Sequence, residues 1–247
     1  MVTSQKSKVF SQAGRPFWKM DIFKMSKIDL RNSNLKISIF LILGFSMFLY
    51  NRMVNKLSDE YECPIDVKLY NFINTHLHLY YNIGFTPNIV TTFSILFGIL
   101  ASHQIMIKQF KTGALFTFIA YYLDCVDGKL ARRYNMITKF GDIYDHVGDI
   151  FKIIIITSAL FLSNTKKTTT KQWIYIGVFL SFTMIQCVHL GYQEAIYNKS
   201  DESLILTMWR KLVEFDKTPE KTIHYTKYFG CGTWNICFVL LIIIWSK

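Results

Sequence analysis

Several things are scarce in this chain. The five cysteines, Cys63, Cys125, Cys187, Cys231 and Cys237, include no Cys-x2-Cys pair, and the six histidines do not gather with them at zinc-binding spacing. Neither a zinc module nor an essential disulfide is expected, and cysteines in apolar stretches read as small buried thiols. The first thirty-five residues lack the short apolar core and small-residue cleavage site of a secretory signal, so they are expected to be retained. No internal repeat is visible, which counts against the repeat-built transporters. Acidic residues are also few, 17 against 28 basic ones, for a net charge of +11. That balance suits nucleic acid, anionic lipid or a phosphorylated substrate, and the apolar runs favour the last two.

What the chain does have is apolar surface. Hydrophobic residues make up 51% of its 247 positions and aromatics 16%, with a mean hydropathy of +0.23. This is too oily for an ordinary soluble domain and too short for several domains. Runs of about twenty apolar residues fall at 35–54, 87–106, 112–133, 140–163, 173–192 and 229–245. The expected fold is therefore all-α, a polytopic membrane bundle of about six transmembrane helices. An amphipathic interfacial helix over 66–83 would precede the Thr86-Pro87-Asn88 turn. Three regions are expected: a basic surface segment over 1–34, the first apolar segment with the amphipathic helix over 35–85, and a membrane domain over 86–247. Lys and Arg divide almost evenly between the two sides, so charge alone does not orient the bundle.

The chemistry concentrates in one string, Asp124-x2-Asp127-Gly128-x2-Ala131-Arg132-x8-Gly141-x3-Asp145-x3-Asp149. Carboxylates are costly inside apolar segments, so a set of them at helical spacing marks a functional site. If the two segments form an antiparallel hairpin with its tip near Met136, Asp127 and Asp124 lie 9 and 12 residues before the tip, and Asp145 and Asp149 lie 9 and 13 after it. Each pair shares a helix face, and the pairs fall at matching depths. Four converging carboxylates repel unless one or two divalent cations hold them, and an all-oxygen set suits Mg²⁺ or Mn²⁺, with Ca²⁺ as a competitor. Gly128, Gly141 and Ala131 leave room for a ligand to approach the backbone. Arg132 and Arg133 can hold a diphosphate through forked bonds. The arrangement fits a nucleotide diphosphate and phosphoryl chemistry. A transported-cation site is the competing reading, although an ion pathway has no need of Gly128-x2-Ala131-Arg132.

This string resembles the signature of the CDP-alcohol phosphotransferase family, with every defining position present. Thr86-Pro87-Asn88 and Thr91 one turn on are similar to a second feature of that family. The resemblance implies transfer of a substituted phosphate from a CDP-linked donor to a lipid or polar alcohol acceptor, with release of CMP. It implies that Asp124, Asp127, Asp145 and Asp149 are metal ligands. Gly128, Ala131, Arg132 and Gly141 would line the CDP pocket together with Asn88 and Thr91, and Asp149 or His146 would be the catalytic base. It further suggests a homodimer with the site facing the cytosol, and no nucleic-acid partner. Asp127-Gly128-Lys129-x-Ala131-Arg132-Arg133 and Asp145-His146 look closer to the branch in which CDP-choline or CDP-ethanolamine donates to diacylglycerol. Val147-Gly148 departs from that branch, and CDP-diacylglycerol as donor to inositol, inositol phosphate, serine or glycerol phosphate is the alternative.

Several residues keep two readings. Lys152 either reaches a phosphate on the acceptor or snorkels and pairs with Asp149. Asp142 either supports the site or faces the loop. His189, Gln193 and Glu194 either form a polar acceptor pocket or a solvated helix end. The aromatics at 173–175 and 234–238 read as a membrane-interface belt.

Overall fold

A computed structural model describes residues 59–163, 169–197 and 210–245. The segment 1–34 and the apolar run 35–54 lie outside the described residues. Those described fold into helices, with no strand among them: α1 (Pro64–Asn82), α2 (Pro87–Met106), α3 (Phe110–Arg133), α4 (Lys139–Leu162), α5 (Thr170–Tyr197), α6 (Pro219–Thr226) and α7 (Cys231–Ile244), with a 3₁₀ turn, Lys227–Phe229, before the last. The chain is an all-α integral membrane protein. The segments Pro87–Met106, Thr170–Ile196 and Pro219–Ile244 are long and apolar enough to cross a bilayer. α3 and α4 match the expected spans 112–133 and 140–163 to within two residues, but their charged residues keep them out of that purely apolar class.

Local chemistry sets the boundaries. Pro64 and Pro87 stand in the first turn of α1 and α2, where a missing N–H costs nothing. Thr86 and Thr138 cap α2 and α4, their hydroxyls accepting from the Ile89 and Gly141 N–H groups at 3.4 and 2.9 Å. Gly84, at φ +86°, supplies the left-handed residue in the turn between α1 and α2. α1 buries Ile73 and Leu77 and leaves Phe72, Leu79 and Tyr81 exposed.

The organising element is α2. Its buried residues Thr91, Ser94, Gly98, Ala101 and Ile105 recur at alternating spacings of three and four, a narrow stripe of mostly small side chains. Along it α2 packs against both α3 and α4, whereas α3 and α4 approach each other closely at few positions. The expected hairpin of directly packed neighbours is corrected accordingly. The two acid-bearing helices lean on α2, and their side chains meet across a cleft. α2 starts, α3 ends and α4 starts at the same end of the bundle, which places the site there.

Two apolar clusters flank the cleft. One joins Ile73 and Leu77 of α1 to Val90, Val126 and Leu130. The other joins Ala101 and Ile105 to Ile156, Leu160, Phe179, Trp234 and Phe238. Trp234 and Phe238 do not form an interfacial belt. Phe238 stacks on Trp234 and on Phe179 inside the α5–α7 packing, Trp234 meets Phe179 at a tilt, and Trp234 Nε1 donates to Thr183 Oγ1 at 3.0 Å.

One buried carboxylate ties three helices. Asp66, 2% exposed, accepts from the Tyr121 hydroxyl of α3 and, at 2.8 Å, from the Gly232 N–H of α7. Tyr121→Phe removes one donor and keeps the ring, so it is expected to destabilise the bundle by about 1–3 kcal/mol. Denaturant unfolding in detergent, followed by circular dichroism, checks this.

Candidate active site

Asp124 and Asp127 leave α3 one turn apart, and Asp145 leaves α4 opposite them. One carboxylate oxygen from each lies within 4.8 Å of the others. Asp127 is 3% exposed and is held by Thr91, whose hydroxyl donates to its Oδ2 at 2.6 Å. Asp145 Oδ1 is buried with no hydrogen-bond partner. Three converging carboxylates, one of them with an unsatisfied buried oxygen, and no nitrogen or sulfur donor in the set fit a hard divalent cation.

Asp149 stands outside this triangle. Its Oδ1 accepts from Lys152 Nζ at 2.7 Å, and the same ammonium donates to Asp124 Oδ1 at 2.8 Å and Ser94 Oγ at 2.6 Å. Of the two readings of Lys152, pairing with Asp149 is the one found, and the pairing extends to α3 and α2. All three ammonium protons are used. The Ser94 hydroxyl donates onward to the Ala120 carbonyl at 2.8 Å. Gly98 admits the lysine stem, since a Cβ there would lie 2.7 Å from Lys152 Cγ. Sequence reasoning missed Ser94 and Gly98. The alternating spacing of small residues in 91–101 was the available signal.

His146 is largely buried, with Nδ1 3.9 Å from Asp142 Oδ1 and 4.0 Å from Asp145 Oδ2. Asp142 therefore belongs to the site's surroundings and does not face away into the loop.

A cavity of about 130 Å³ opens from the aspartate triangle. Asn88, Thr91, Gly128, Ala131, Arg132 and Gly141, the residues singled out for a nucleotide pocket, all line it. Gly141 has a specific reason to be glycine. A Cβ there would lie 2.8 Å from Asn88 Oδ1 and 2.9 Å from Thr138 Oγ1, the hydroxyl that caps α4. Gly141→Ala is expected to cost about 1–2 kcal/mol through the displaced cap and to weaken nucleotide binding by moving Asn88. Thermal melting and CDP titration read the two effects separately.

A second cavity, of about 190 Å³, lies on the other side of Asp124 and Arg132. Tyr70, Asp124, Cys125 and Arg132 line both cavities, which therefore adjoin along these residues. Asp149 and Lys152 face the second one, as do His189 and Gln193 of α5. His189, Gln193 and Glu194 are 1%, 3% and 1% exposed, so the solvated helix end is ruled out. Glu194 is buried but does not line the cavity.

The profile of the CDP-alcohol phosphatidyltransferase family matches residues 85–219, more than half of the chain. The chain is similar to cholinephosphotransferase 1 of Mus musculus, 28% identical over 108 residues that cover 43% of this chain and 27% of the relative. It is 26% identical over 104 residues to the CDP-diacylglycerol–serine O-phosphatidyltransferase of Bacillus subtilis, covering 42% of this chain and 56% of the relative. It is 31% identical over 68 residues to the archaetidylinositol phosphate synthase of Pyrococcus horikoshii, covering 28% and 36%. The matched stretch thus spans about a quarter of the length of the cholinephosphotransferase and about half of the serine enzyme. No solved structure matches significantly.

Proposed function

The chain belongs to the CDP-alcohol phosphatidyltransferase family, and we propose that it is a membrane enzyme that transfers a substituted phosphate from a CDP-linked donor to an alcohol. CMP is released and a phosphodiester forms. The favoured pair is CDP-choline or CDP-ethanolamine with diacylglycerol. The observation that carries this reading is the aspartate triangle opening onto one cavity lined by Asn88, Gly128, Ala131, Arg132 and Gly141.

Asp124, Asp127 and Asp145 would hold Mg²⁺ or Mn²⁺, with Asp149 as a further ligand. A divalent ion bound there supplies charge neutralisation for phosphate oxygens and for the leaving CMP. The Arg132 guanidinium holds the diphosphate of the donor. Thr91 orients Asp127 through its 2.6 Å hydrogen bond. The attacking hydroxyl would lose its proton to Asp149 or His146. The end of the bundle with the 134–138 loop is assigned to the cytosol, where a water-soluble CDP compound is found.

The second reading, CDP-diacylglycerol as donor to a polar alcohol, is favoured by the similarity to a serine phosphatidyltransferase. Detergent-purified protein with Mg²⁺ or Mn²⁺ tests both. Product from labelled CDP-choline or CDP-ethanolamine and diacylglycerol assigns the first branch. Product from CDP-diacylglycerol and a polar alcohol assigns the second.

The base is assigned by pH–rate profiles. With Asp149 as the base, His146→Ala keeps measurable turnover and the shape of the wild-type profile, while Asp149→Asn loses its acidic limb. Wild-type rates in both variants would remove both residues from that role.

A further inference from the structure

Gln186, His189 and Gln193 recur at spacings of three and four along α5, so they form one stripe on an otherwise apolar helix. All three line the 190 Å³ cavity, and they are 1%, 1% and 3% exposed. Gln186 and His189 each have one polar atom engaged and another left over. Gln186 Nε2 donates to Cys231 Sγ at 3.3 Å, and His189 Nδ1 meets Thr226 Oγ1 at 3.1 Å. Gln186 Oε1, His189 Nε2 and Gln193 Oε1 are buried with no hydrogen-bond partner. Burying such atoms unpaired costs about 1–3 kcal/mol each, and polar side chains inside a membrane bundle are costly unless they are used. Three of them along one face of a cavity that also reaches Asp149 are placed for a ligand with hydrogen-bonding groups.

The charge of the same lining narrows that ligand. Among the described residues that line the cavity, the permanent cations are Arg132 and Lys152. Lys152 has its three protons committed to Ser94, Asp124 and Asp149. Arg132 also lines the nucleotide cavity, where the donor diphosphate requires it. Glu62 and Asp66 add acidic groups to the far wall. A phosphate or carboxylate entering here would meet carboxylates and find no uncommitted cation, and burying an unpaired anion is prohibitive. A hydroxyl would find acceptors at Gln186 and Gln193 and an imidazole nitrogen at His189.

We infer that this cavity is the acceptor site and that it selects an uncharged, hydroxyl-bearing acceptor over phosphorylated or carboxylated ones, with Gln186, His189 and Gln193 as specificity-determining residues. The inference rests on the transferase reading above. It also cuts across the two branches, since diacylglycerol and inositol pass, whereas glycerol phosphate, inositol phosphate and serine do not. Sites built to hydrogen-bond their substrate discriminate strongly, because a poorly matched ligand leaves their buried groups unpaired.

The test measures turnover of the full chain in detergent with dioctanoylglycerol (CDP-choline as donor), and with inositol, glycerol 3-phosphate and serine (CDP-diacylglycerol as donor). In parallel, CDP binding is followed by thermal shift with and without Mn²⁺. Turnover is expected with a neutral acceptor and at least a hundredfold lower kcat/KM with the charged ones. Gln193→Leu and Gln186→Leu are expected to raise the KM for the neutral acceptor tenfold or more and to leave the KM for the CDP donor within twofold. Comparable kcat/KM for a charged acceptor in the unmodified protein overturns the inference, as does an unchanged acceptor KM in both folded variants. Silence toward every neutral acceptor with metal-dependent CDP binding intact also overturns it, while the family reading stands. Loss of that binding in the unmodified protein would overturn both.

Discussion

Asp127→Asn is expected to lower kcat/KM by about a thousandfold or more, with no measurable loss of helix content. The size follows from what the carboxylate does. It is the most buried of the three converging aspartates, and its position is set by the Thr91 hydroxyl at 2.6 Å. Replacing a ligand charge at a metal clamp removes several kcal/mol of stabilisation, and each 1.36 kcal/mol is tenfold in rate. The amide has nearly the same shape, and its oxygen still accepts from Thr91, so the bundle has little reason to unfold. Three measurements on one preparation separate the effects. Circular dichroism reports the helices, Mn²⁺ binding by electron paramagnetic resonance reports the ligand set, and turnover reports the reaction. A variant that binds Mn²⁺ with wild-type affinity and turns over at wild-type rate would remove Asp127 from the metal site.

The second large effect is expected at Lys152, and it is one of stability. Its ammonium lies between Asp124 and Asp149, at 2.8 and 2.7 Å, with 9% of the side chain exposed. Lys152→Met fills the same space beside Gly98 and removes the charge, leaving two largely buried carboxylates facing each other. Breaking a buried ion pair from one side costs about 3–5 kcal/mol. The unfolding midpoint in metal-free buffer should therefore fall steeply. Added Mg²⁺ or Mn²⁺ should return part of the loss, because a divalent ion neutralises the same carboxylates. The wild type should gain less from the metal than the variant does. An equal gain in both proteins would show that the ammonium and the metal serve separate charges. Lys152→Arg is not a neutral control, since the planar fork cannot reproduce three radiating bonds at one nitrogen.

How far the sequence carried this picture depended on how local each signal is. Asp124, Asp127 and Asp145 could be placed together because spacings of three and four along a helix determine which side chains share a face, whereas Asp149, expected to converge with them, pairs with Lys152 outside the triangle. The ends of α3 and α4 were legible because polar residues interrupt the apolar runs there. Thr86, in the turn before α2, was legible for the same reason, whereas the Thr138 cap was not read from the chain. The position of α2 between α3 and α4 was not legible. Its signal is a stripe of Thr91, Ser94, Gly98 and Ala101, and small residues do not say which neighbour they admit. The same limit applies to Trp234 and Phe238, since an aromatic ring is as suited to a membrane interface as to a packed core. Whether His189 and Gln193 were solvated or buried turned on the packing of α5 against α6 and α7, a long-range pairing that local pattern does not encode. Lys152 was ambiguous from sequence because its partners, Ser94 and Asp124, sit 58 and 28 residues away.

The border shared by the two cavities has a kinetic consequence. Tyr70, Asp124, Cys125 and Arg132 face both compartments, so a molecule seated in one presses on side chains that shape the other. Under the proposed reaction the two substrates would meet along that shared border, close enough for direct transfer without a modified enzyme form in between. Double-reciprocal plots taken at several fixed donor concentrations should then give intersecting lines, not parallel ones. CMP, which would remain in the donor compartment after transfer, should compete with the donor while affecting the acceptor as a mixed inhibitor.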